Sequence, residues 1–130
     1  MVTLTRLFEW EVEGDTLILT ALIDLNEKEH RQIEEAKQDI LTFLAKTPTK
    51  NVIMDFGHTN FFWTTAFNLF IQVWKEVRRR KGRLIFCNVS KQERKLLHYP
   101  KLEGLWPICL SREESIQAAR DERSAQESAS

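Results

Sequence analysis

A short stretch near the middle of the chain collects residue types that could carry out chemistry. Asp55, His58 and Thr64 are an acid, a base and a nucleophile within ten residues, the combination that nucleophilic catalysis uses. We predict that the protein is not an enzyme, because no glycine loop that could stabilise an oxyanion follows them. Asp55 is instead predicted to close a strand and to accept hydrogen bonds from loop N–H groups.

Two adjacent hydroxyl groups, those of Thr64 and Thr65, fall where a helix is predicted to start. One interpretation is structural: a threonine oxygen accepts a backbone N–H and caps the helix. The other is phosphorylation, which adds close to two negative charges. A helix N-terminus tolerates such a charge, whereas an apolar contact with a partner would expel it. Phosphorylation would therefore switch binding with little change in fold.

Three large aromatic residues, Phe61, Phe62 and Trp63, precede these threonines. We expect two of the three to be buried beneath the loop. An exposed tryptophan at a loop tip would be suited to anchoring a protein partner. The alternative of equal weight is that it packs within the protein or forms an oligomer contact.

These residues belong to a predicted strand–helix–strand unit. Residues 51–56 and 84–87 are short apolar runs, typical of buried strands. Between them, apolar residues recur at helical spacing until Gly82 stops the helix. The apolar positions are Ala66, Phe67, Phe70, Ile71, Trp74 and Val77. The two strands are predicted to be parallel, and partners usually meet the carboxyl ends of such strands, where the loop 57–65 lies.

The N-terminal part of the chain predicts a hairpin and a helix. Residues 4–13 alternate loosely in polarity, and residues 16–23 are rich in strand formers. We predict that they pair antiparallel, with the first on the sheet edge. A helix follows, and Asn26 or Asp24 can cap it. Its predicted buried positions are Ile33, Ala36, Ile40, Phe43 and Leu44.

The C-terminal part predicts two more helices and an edge strand. Capping boxes at residues 90–93 and 111–114 begin the helices, and residues 105–110 are predicted as a strand at a sheet edge. The predicted order is ββαβαβαβα in one α/β domain, residues 1–120, with 121–130 as a flexible tail. The predicted sheet is small and mostly parallel, with an antiparallel edge strand and four helices.

Composition and charge exclude several classes of function. The 130 residues are 42% hydrophobic and 29% charged with zero formal net charge, which fits one soluble domain and gives no global field toward nucleic acid. The basic run 78–81 is interpreted as a solvated helix end. No membrane-spanning run, signal peptide, phosphate loop, metal cluster or cofactor motif is recognised. Cys87 and Cys109 are predicted to be buried free thiols, which fits a reducing cytoplasm.

Four segments carry a family resemblance. They are Val52-Ile53-Met54-Asp55-Phe56, Gly82-Arg83-Leu84-Ile85-Phe86, Leu96-Leu97 and Leu102-Glu103-Gly104-Leu105-Trp106. Through them, residues from about 16 to 119 resemble a STAS domain, the fold named for sulphate transporters and anti-sigma factor antagonists. In that family an apolar strand ends in Asp-Phe-Ser and is followed by an apolar pair, then Asp-Ser-Ser-Gly and a helix.

The resemblance places Thr64 at the family's phosphorylated hydroxyl. Phe61-Phe62 correspond to the apolar pair, and Trp63-Thr64-Thr65-Ala66 fall on the Asp-Ser-Ser-Gly positions. This chain departs from the pattern at Trp63, which replaces the acid, and at Ala66 and Asn68, which replace small glycines.

The function that the resemblance implies is a bacterial, cytoplasmic regulator that binds a protein partner. The partner would be an anti-sigma factor with serine/threonine kinase activity, which would phosphorylate Thr64. The implied binding residues are Gly57, His58, Phe61, Phe62, Trp63, Thr64, Thr65, Phe67 and Asn68. Two alternatives stay open: a constitutive scaffold subunit, for example of a lipid-transport ABC complex, and a small-molecule or nucleotide binder at the strand-end crevice.

Overall fold

The computed structural model describes residues 2–4, 7–98 and 106–129, and side chains within 7–98 and 106–121. In these ranges there are six strands: β1 (Val2–Leu4), β2 (Phe8–Glu13), β3 (Thr16–Ala21), β4 (Asn51–Asp55), β5 (Leu84–Cys87) and β6 (Ile108–Cys109). The same ranges hold four α-helices: α1 (His30–Lys46), α2 (Thr65–Arg79), α3 (Lys91–Leu97) and α4 (Arg112–Ala129). A 3₁₀ turn, Glu27–Glu29, leads into α1.

These strands form one sheet, and their order in the sheet is their order in the chain. β2 is antiparallel to both of its neighbours, β1 and β3. β3, β4, β5 and β6 run parallel to one another. The predicted α/β fold, a mostly parallel sheet with an antiparallel strand toward one edge and four helices, is confirmed.

The predicted first strand, residues 4–13, is wrong in extent. The chain forms two strands there, and β1, rather than β2, occupies the sheet edge. Leu7 and Phe8 are both buried, and two successive inward side chains cannot continue the alternation of one strand. The chain therefore bends at Leu7, whose carbonyl accepts the N–H of Leu22 at 2.8 Å.

The parallel strands β3, β4 and β5 are buried on both faces, as their near-continuous apolar runs require. On one face a large core forms against α1 and α2, and its strand residues include Leu17, Leu19, Val52, Met54, Leu84 and Phe86. Ile18, Ile53 and Ile85 belong to a smaller cluster with α4. Helices that connect successive parallel strands lie on the same face of the sheet when the connections have the same hand and the strands are added in the same direction. α4 follows the last strand, so it is free to cover the other face.

The helix α1 buries the predicted positions. Ile33, Ile40 and Leu44 are buried, and Ala36 and Phe43 pack against the same core. The predicted cap at Asn26 is confirmed for the 3₁₀ turn, because its side-chain oxygen accepts the N–H of Lys28 at 3.1 Å.

The helix α2 is rotated from its predicted orientation. Leu69 and Val73, which the predicted stripe omits, are fully buried, together with Ala66, Phe70 and Val77. The predicted core residues Phe67, Ile71 and Trp74 are half-buried at the margin of the core. The ring of Trp74 lies under the Arg78 guanidinium, 5.2 Å from its centroid. The prediction gave aromatic size too much weight, whereas the medium-sized aliphatic residues fit between helix and sheet.

The end of α2 also differs in detail. Lys81 takes the left-handed conformation, with φ of 64°, and Gly82 N–H bonds the Val77 carbonyl at 2.7 Å. This pattern is a Schellman motif with lysine at the usual glycine position. Gly82 is required for a different reason: a Cβ there would lie 1.7 Å from the Lys50 carbonyl oxygen.

The C-terminal part matches the prediction in kind. β6 is parallel to β5 and lies at the other edge of the sheet, although it is shorter than the predicted strand, whose first residue lies outside the described ranges. The family segment 102–105 and the predicted helix break at Tyr99-Pro100 also lie outside them. α4 continues to Ala129, so most of the predicted tail is helical, and its flexibility stays a prediction.

The second predicted capping box is half formed. The Ser111 hydroxyl accepts the Glu114 N–H at 3.1 Å, but the Glu114 carboxylate accepts the N–H of Leu110, at 2.8 Å. Within the described ranges no helix is long and apolar enough to cross a membrane. Nor do any three His, Cys, Asp or Glu side chains of that part of the chain cluster as metal ligands would.

Candidate functional site

The segment between β4 and α2, residues 56–64, lies at the carboxyl end of the parallel strands; we call it the β4–α2 loop. β4 is flanked by β3 and β5, so the loop leaves from the middle of that edge. Its first N–H, that of Phe56, still bonds the Cys87 carbonyl at 3.1 Å. The strand therefore delivers the loop to the edge where ligands and partners of such sheets usually bind.

Asp55 fixes the start of the loop, as predicted. Its Oδ1 accepts the Gly57 N–H at 2.9 Å and the Asn88 side-chain amide at 3.1 Å. Its Oδ2 lies 3.3 Å from the Arg112 Nε. Both carboxylate oxygens are thus engaged, and no hydrogen bond found among the described residues links Asp55 to His58 or Thr64. The carboxylate therefore holds the end of the strand and the start of the loop together.

The helix α3 holds the middle of the loop through a buried carboxylate whose contact with the loop was not predicted from the sequence. Glu93 is fully buried and completes the predicted capping box with Ser90. Its other oxygen accepts the Thr59 hydroxyl at 2.5 Å, and the Ser90 hydroxyl donates to the Asn60 carbonyl at 2.7 Å. The capping pattern identified Glu93, but no sequence signal pointed to its partner 34 positions away.

The segment before α1 holds the other side of the loop. The Asn60 N–H bonds the Asp24 carboxylate at 3.0 Å, and the Trp63 N–H bonds the Leu25 carbonyl at 2.8 Å. Leu25 and Phe62 also form a parallel β-bridge. With its backbone held from two sides, the loop presents its exposed side chains from a fixed frame, as recognition sites require.

The three aromatic residues of the loop differ in burial. Phe62 is fully buried, with its ring centroid 5.2 Å from that of Phe56 and 5.1 Å from that of Phe70. Phe61 is half-buried, and Trp63 is 47% exposed. Their rings meet edge to face at 5.3 Å. One ring thus anchors the loop while the other two form a surface pair; the expectation of two buried rings is met fully by Phe62 and partly by Phe61.

The two threonines are in different environments. Thr64 is exposed and precedes α2 in a helical conformation, with φ of −56° and ψ of −25°. A capping residue needs an extended backbone to direct its oxygen at the helix N–H groups, and the Thr64 side chain makes no capping bond. The capping interpretation is wrong for Thr64. The Thr65 Oγ1 is engaged elsewhere, 3.0 Å from the His30 Nδ1.

The remaining predicted binding residues are at least partly accessible to solvent. Gly57, His58 and Asn68 are exposed and Phe67 is half-buried. The Asn68 side chain donates to Glu34 at 3.3 Å, so it links α2 to α1. All of the predicted binding residues except Phe62 are thus exposed or half-buried, and Phe62 is fully buried.

A groove lies between the loop and α3. It has a volume of about 530 Å³ and is lined by Phe61, Trp63, Gln92, Lys95 and Leu96. We call it the aromatic groove. Gln92, Lys95 and Leu96 share one face of α3 because they are three and four residues apart.

The chain is similar to known proteins in its sequence pattern and in its fold. The family model described as the STAS domain matches residues 9–115, and no curated protein matches the chain. A candidate anti-sigma factor antagonist of Thermotoga maritima has a TM-score of 0.76 at 15% identity, covering 88% of this chain and 96% of its own. An anti-sigma factor antagonist (STAS) domain protein of Planctomyces limnophilus has a TM-score of 0.75 at 19% identity, covering 87% and 97%. The Bacillus cell-fate determinant SpoIIAA, in its phosphorylated form, has a TM-score of 0.67 at 22% identity, covering 85% and 96%.

Proposed function

The chain belongs to the STAS domain family, and from that membership we propose that it is a non-enzymatic regulator of the anti-sigma factor antagonist type. It binds a protein partner, an anti-sigma factor with serine/threonine kinase activity, in the cytoplasm. The binding surface is the exposed part of the β4–α2 loop with the first turn of α2. Its members are Gly57, His58, Phe61, Trp63, Thr64, Thr65, Phe67 and Asn68, with Phe62 as the buried support.

This proposal rests on the hydroxyl group of Thr64, which is exposed and makes no helix-capping hydrogen bond. The partner kinase would transfer the γ-phosphoryl group of ATP to the Thr64 Oγ1, with ADP leaving and the hydroxyl proton passing to a base of the kinase. The oxygen makes no capping bond that phosphorylation would break. The new charge would lie at the positive end of α2, where it is tolerated. The fold would therefore persist while the surface changes.

Loss of binding follows from the neighbours of Thr64. Trp63 and Phe61 form an aromatic pair beside it, and a partner that covers them would also cover the phosphate. Burying an unpaired charge costs several kcal/mol. The phosphorylated surface would therefore release its partner. The solved phosphorylated form of SpoIIAA, a protein of the same fold, supports the comparison.

The test uses the partner isolated with the protein from its native host, and calorimetric titration of variants. Thr64→Glu should abolish binding and keep the melting temperature, whereas Thr64→Val should bind but resist phosphorylation by the partner. Thr42→Val is the matched control, because Thr42 is an exposed threonine of α1 outside the proposed surface, and this variant should bind and be phosphorylated. Full binding by Thr64→Glu, together with unmodified Thr64 in native protein by mass spectrometry, would exclude the switch.

A second candidate function, constitutive binding as a scaffold subunit, has one observation in its favour. Trp63 stands where the family has an acid, and it is 47% exposed. If it anchors a permanent partner, Trp63→Ala should lower the affinity by about 2 kcal/mol or more, and Thr64→Glu should still bind. Val12→Ala is the control, because Val12 is comparably exposed, at 44%, on β2. The small-molecule alternative has no comparable support, since Asp55 at the strand end is already engaged.

A further inference from the structure

Just after β6, one exposed apolar side chain lies close in sequence to two exposed carboxylates. Leu110 is 74% exposed, the most exposed of the large apolar side chains that the structure describes. Glu113 and Glu114, at the start of α4, are also exposed. We call these three residues the acidic knob. A large, isolated apolar side chain flanked by carboxylates is suited to an apolar pocket with a basic rim.

The aromatic groove has the complementary chemistry. Phe61, Trp63 and Leu96 give it apolar walls, and Lys95 lines it. Lys91, one turn earlier on α3, is exposed like Lys95. Neither lysine makes an ion pair with any residue that the structure describes. Like charges four residues apart are unfavourable on an isolated helix, so an anion placed between them would stabilise α3.

The knob and the groove lie at the same end of the molecule. β4 and β6 are members of one parallel set, so the β4–α2 loop and Leu110 both follow carboxyl ends of strands at one edge. α3 is in the crossover between β5 and β6, and it reaches the loop through Ser90 and Glu93. Two copies that face each other with these ends can make both contacts at once.

We propose that a second copy of this chain occupies the aromatic groove in a two-fold symmetric dimer. Leu110 of each copy packs against Phe61, Trp63 and Leu96 of the other, and Glu113 pairs with Lys95. A symmetric arrangement uses both patches of both copies, so the assembly closes at two chains and does not grow into filaments. Two small contacts make a weak dimer, at the low end of the range of interface sizes.

This proposal does not rest on a phosphorylation switch, although Phe61 and Trp63 take part in both surfaces and a phosphate on Thr64 would weaken the dimer as well. The dimer would compete with any partner that covers Trp63. The knob lies outside the proposed partner-binding residues, so changes at Leu110 separate the two ideas. A protein whose partner binding survives Leu110→Thr while its dimer is lost would support both.

Sedimentation velocity of the full chain over a range of concentrations tests the proposal. Wild type should shift with concentration from the 15.4 kDa monomer to twice that mass. Leu110→Thr, Lys95→Glu and Glu113→Lys should each weaken the dimer at least tenfold, with unchanged circular dichroism. The double variant Lys95→Glu/Glu113→Lys should regain it, because the charge pair is restored in reverse. Val12→Thr, a matched apolar-to-threonine change on β2, should have no effect.

Three outcomes would overturn the proposal. One is a protein that stays monomeric at every concentration. Another is a dimer that Leu110→Thr leaves unchanged. Such a dimer would form through a different surface, and the groove would be left for another occupant, such as an acidic segment of another protein. The third is a double variant that remains as weak as its two single variants. Raised salt should weaken the wild-type dimer severalfold, because the charge pairs are exposed and screened.

Discussion

Asp55 and Cys87 lie side by side at the carboxyl ends of two strands, and the charge of Asp55 helps to keep the Cys87 thiol unreactive. They are register partners on β4 and β5, and Cys87 is in turn the partner of Cys109 on β6. Burial raises the pKa of the Cys87 thiol to about 12, and the nearby negative charge of Asp55 adds to the increase. The thiolate is the reactive form of cysteine. The thiol next to the candidate site is therefore kept protonated.

We expect the two cysteines to differ in reactivity. A pKa raised from 9.0 to about 12 leaves Cys87 protonated throughout the range of pH 7 to 9, whereas Cys109 is only half-buried. Iodoacetamide at pH 8 should alkylate Cys109 well before Cys87, as peptide mass spectrometry would measure. In concentrated guanidinium chloride both should react alike. Equal rates in the folded protein would contradict the burial of Cys87.

At the scale of elements, α2 is the helix that presents the site, and its two ends are built differently. Its first turn follows Thr64 without a side-chain cap. Its last turn is closed by the left-handed Lys81 and by Gly82, which packs against the backbone of Lys50. The helix is therefore fixed at the end far from the site, and its uncapped end belongs to the proposed binding surface.

Opposite effects are expected at the two adjacent positions that close α2. Lys81→Gly should stabilise the protein by about 1 kcal/mol, because glycine adopts positive φ without steric cost. Gly82→Ala should destabilise it by about 1–3 kcal/mol, because the new Cβ would overlap the Lys50 carbonyl. Urea denaturation measures both. A neutral Gly82→Ala would mean that the chain relaxes at Lys50 without loss.

The elements could largely be predicted from sequence, and the contacts between them could not. The spacing of apolar residues predicts β4, β5 and α1, and the Ser90–Glu93 capping box predicts the start of α3. The predicted buried face of α2 was wrong because Trp74 and Val73 are both apolar. The shape of the core, and not polarity, decides which of the two side chains points inward. The bend at Leu7 was missed because two neighbouring apolar residues look like a continuing strand.

The candidate site, too, was predictable in part: its place in the sequence was, and its long-range contacts were not. The family pattern pointed to this loop, and Asp55 was correctly interpreted as a strand-closing carboxylate. The lack of a cap at Thr64 depends on its backbone conformation, which the sequence does not specify. The Thr59–Glu93 bond and the partners of Arg112 join residues far apart in the chain, and one sequence carries no signal for such pairs.

For the molecule as a whole, Arg112 connects four elements. Its guanidinium bonds Glu11 at 2.9 Å, Thr20 at 2.6 Å and Asp55 at 3.3 Å. These residues lie on β2, β3 and β4, and Arg112 itself begins α4. The contact thus holds the helix on the second face of the sheet and neutralises the carboxylate that closes β4.

Removal of this contact should destabilise the fold. Arg112→Met leaves the Asp55 carboxylate buried without its cation, and hydrogen bonds to charged groups contribute about 1.5–3 kcal/mol. Arg120→Met is the control, because Arg120 and Glu13 form an exposed pair at 3.4 Å and such pairs contribute about 0–1 kcal/mol. Guanidinium denaturation measures the free energy of unfolding of both. Equal losses would mean that Arg112 stabilises the fold no more than a surface ion pair.

The order of the strands has a consequence for how the chain is made. Because each strand pairs with the one synthesised before it, the sheet can be extended from β1 to β6 as the polypeptide leaves the ribosome. Among the strands that the structure describes, none has to be inserted between two that are already paired. The β4–α2 loop is the exception, since Thr59 must wait for Glu93 to emerge. The proposed binding surface is therefore completed later than the strand that carries it.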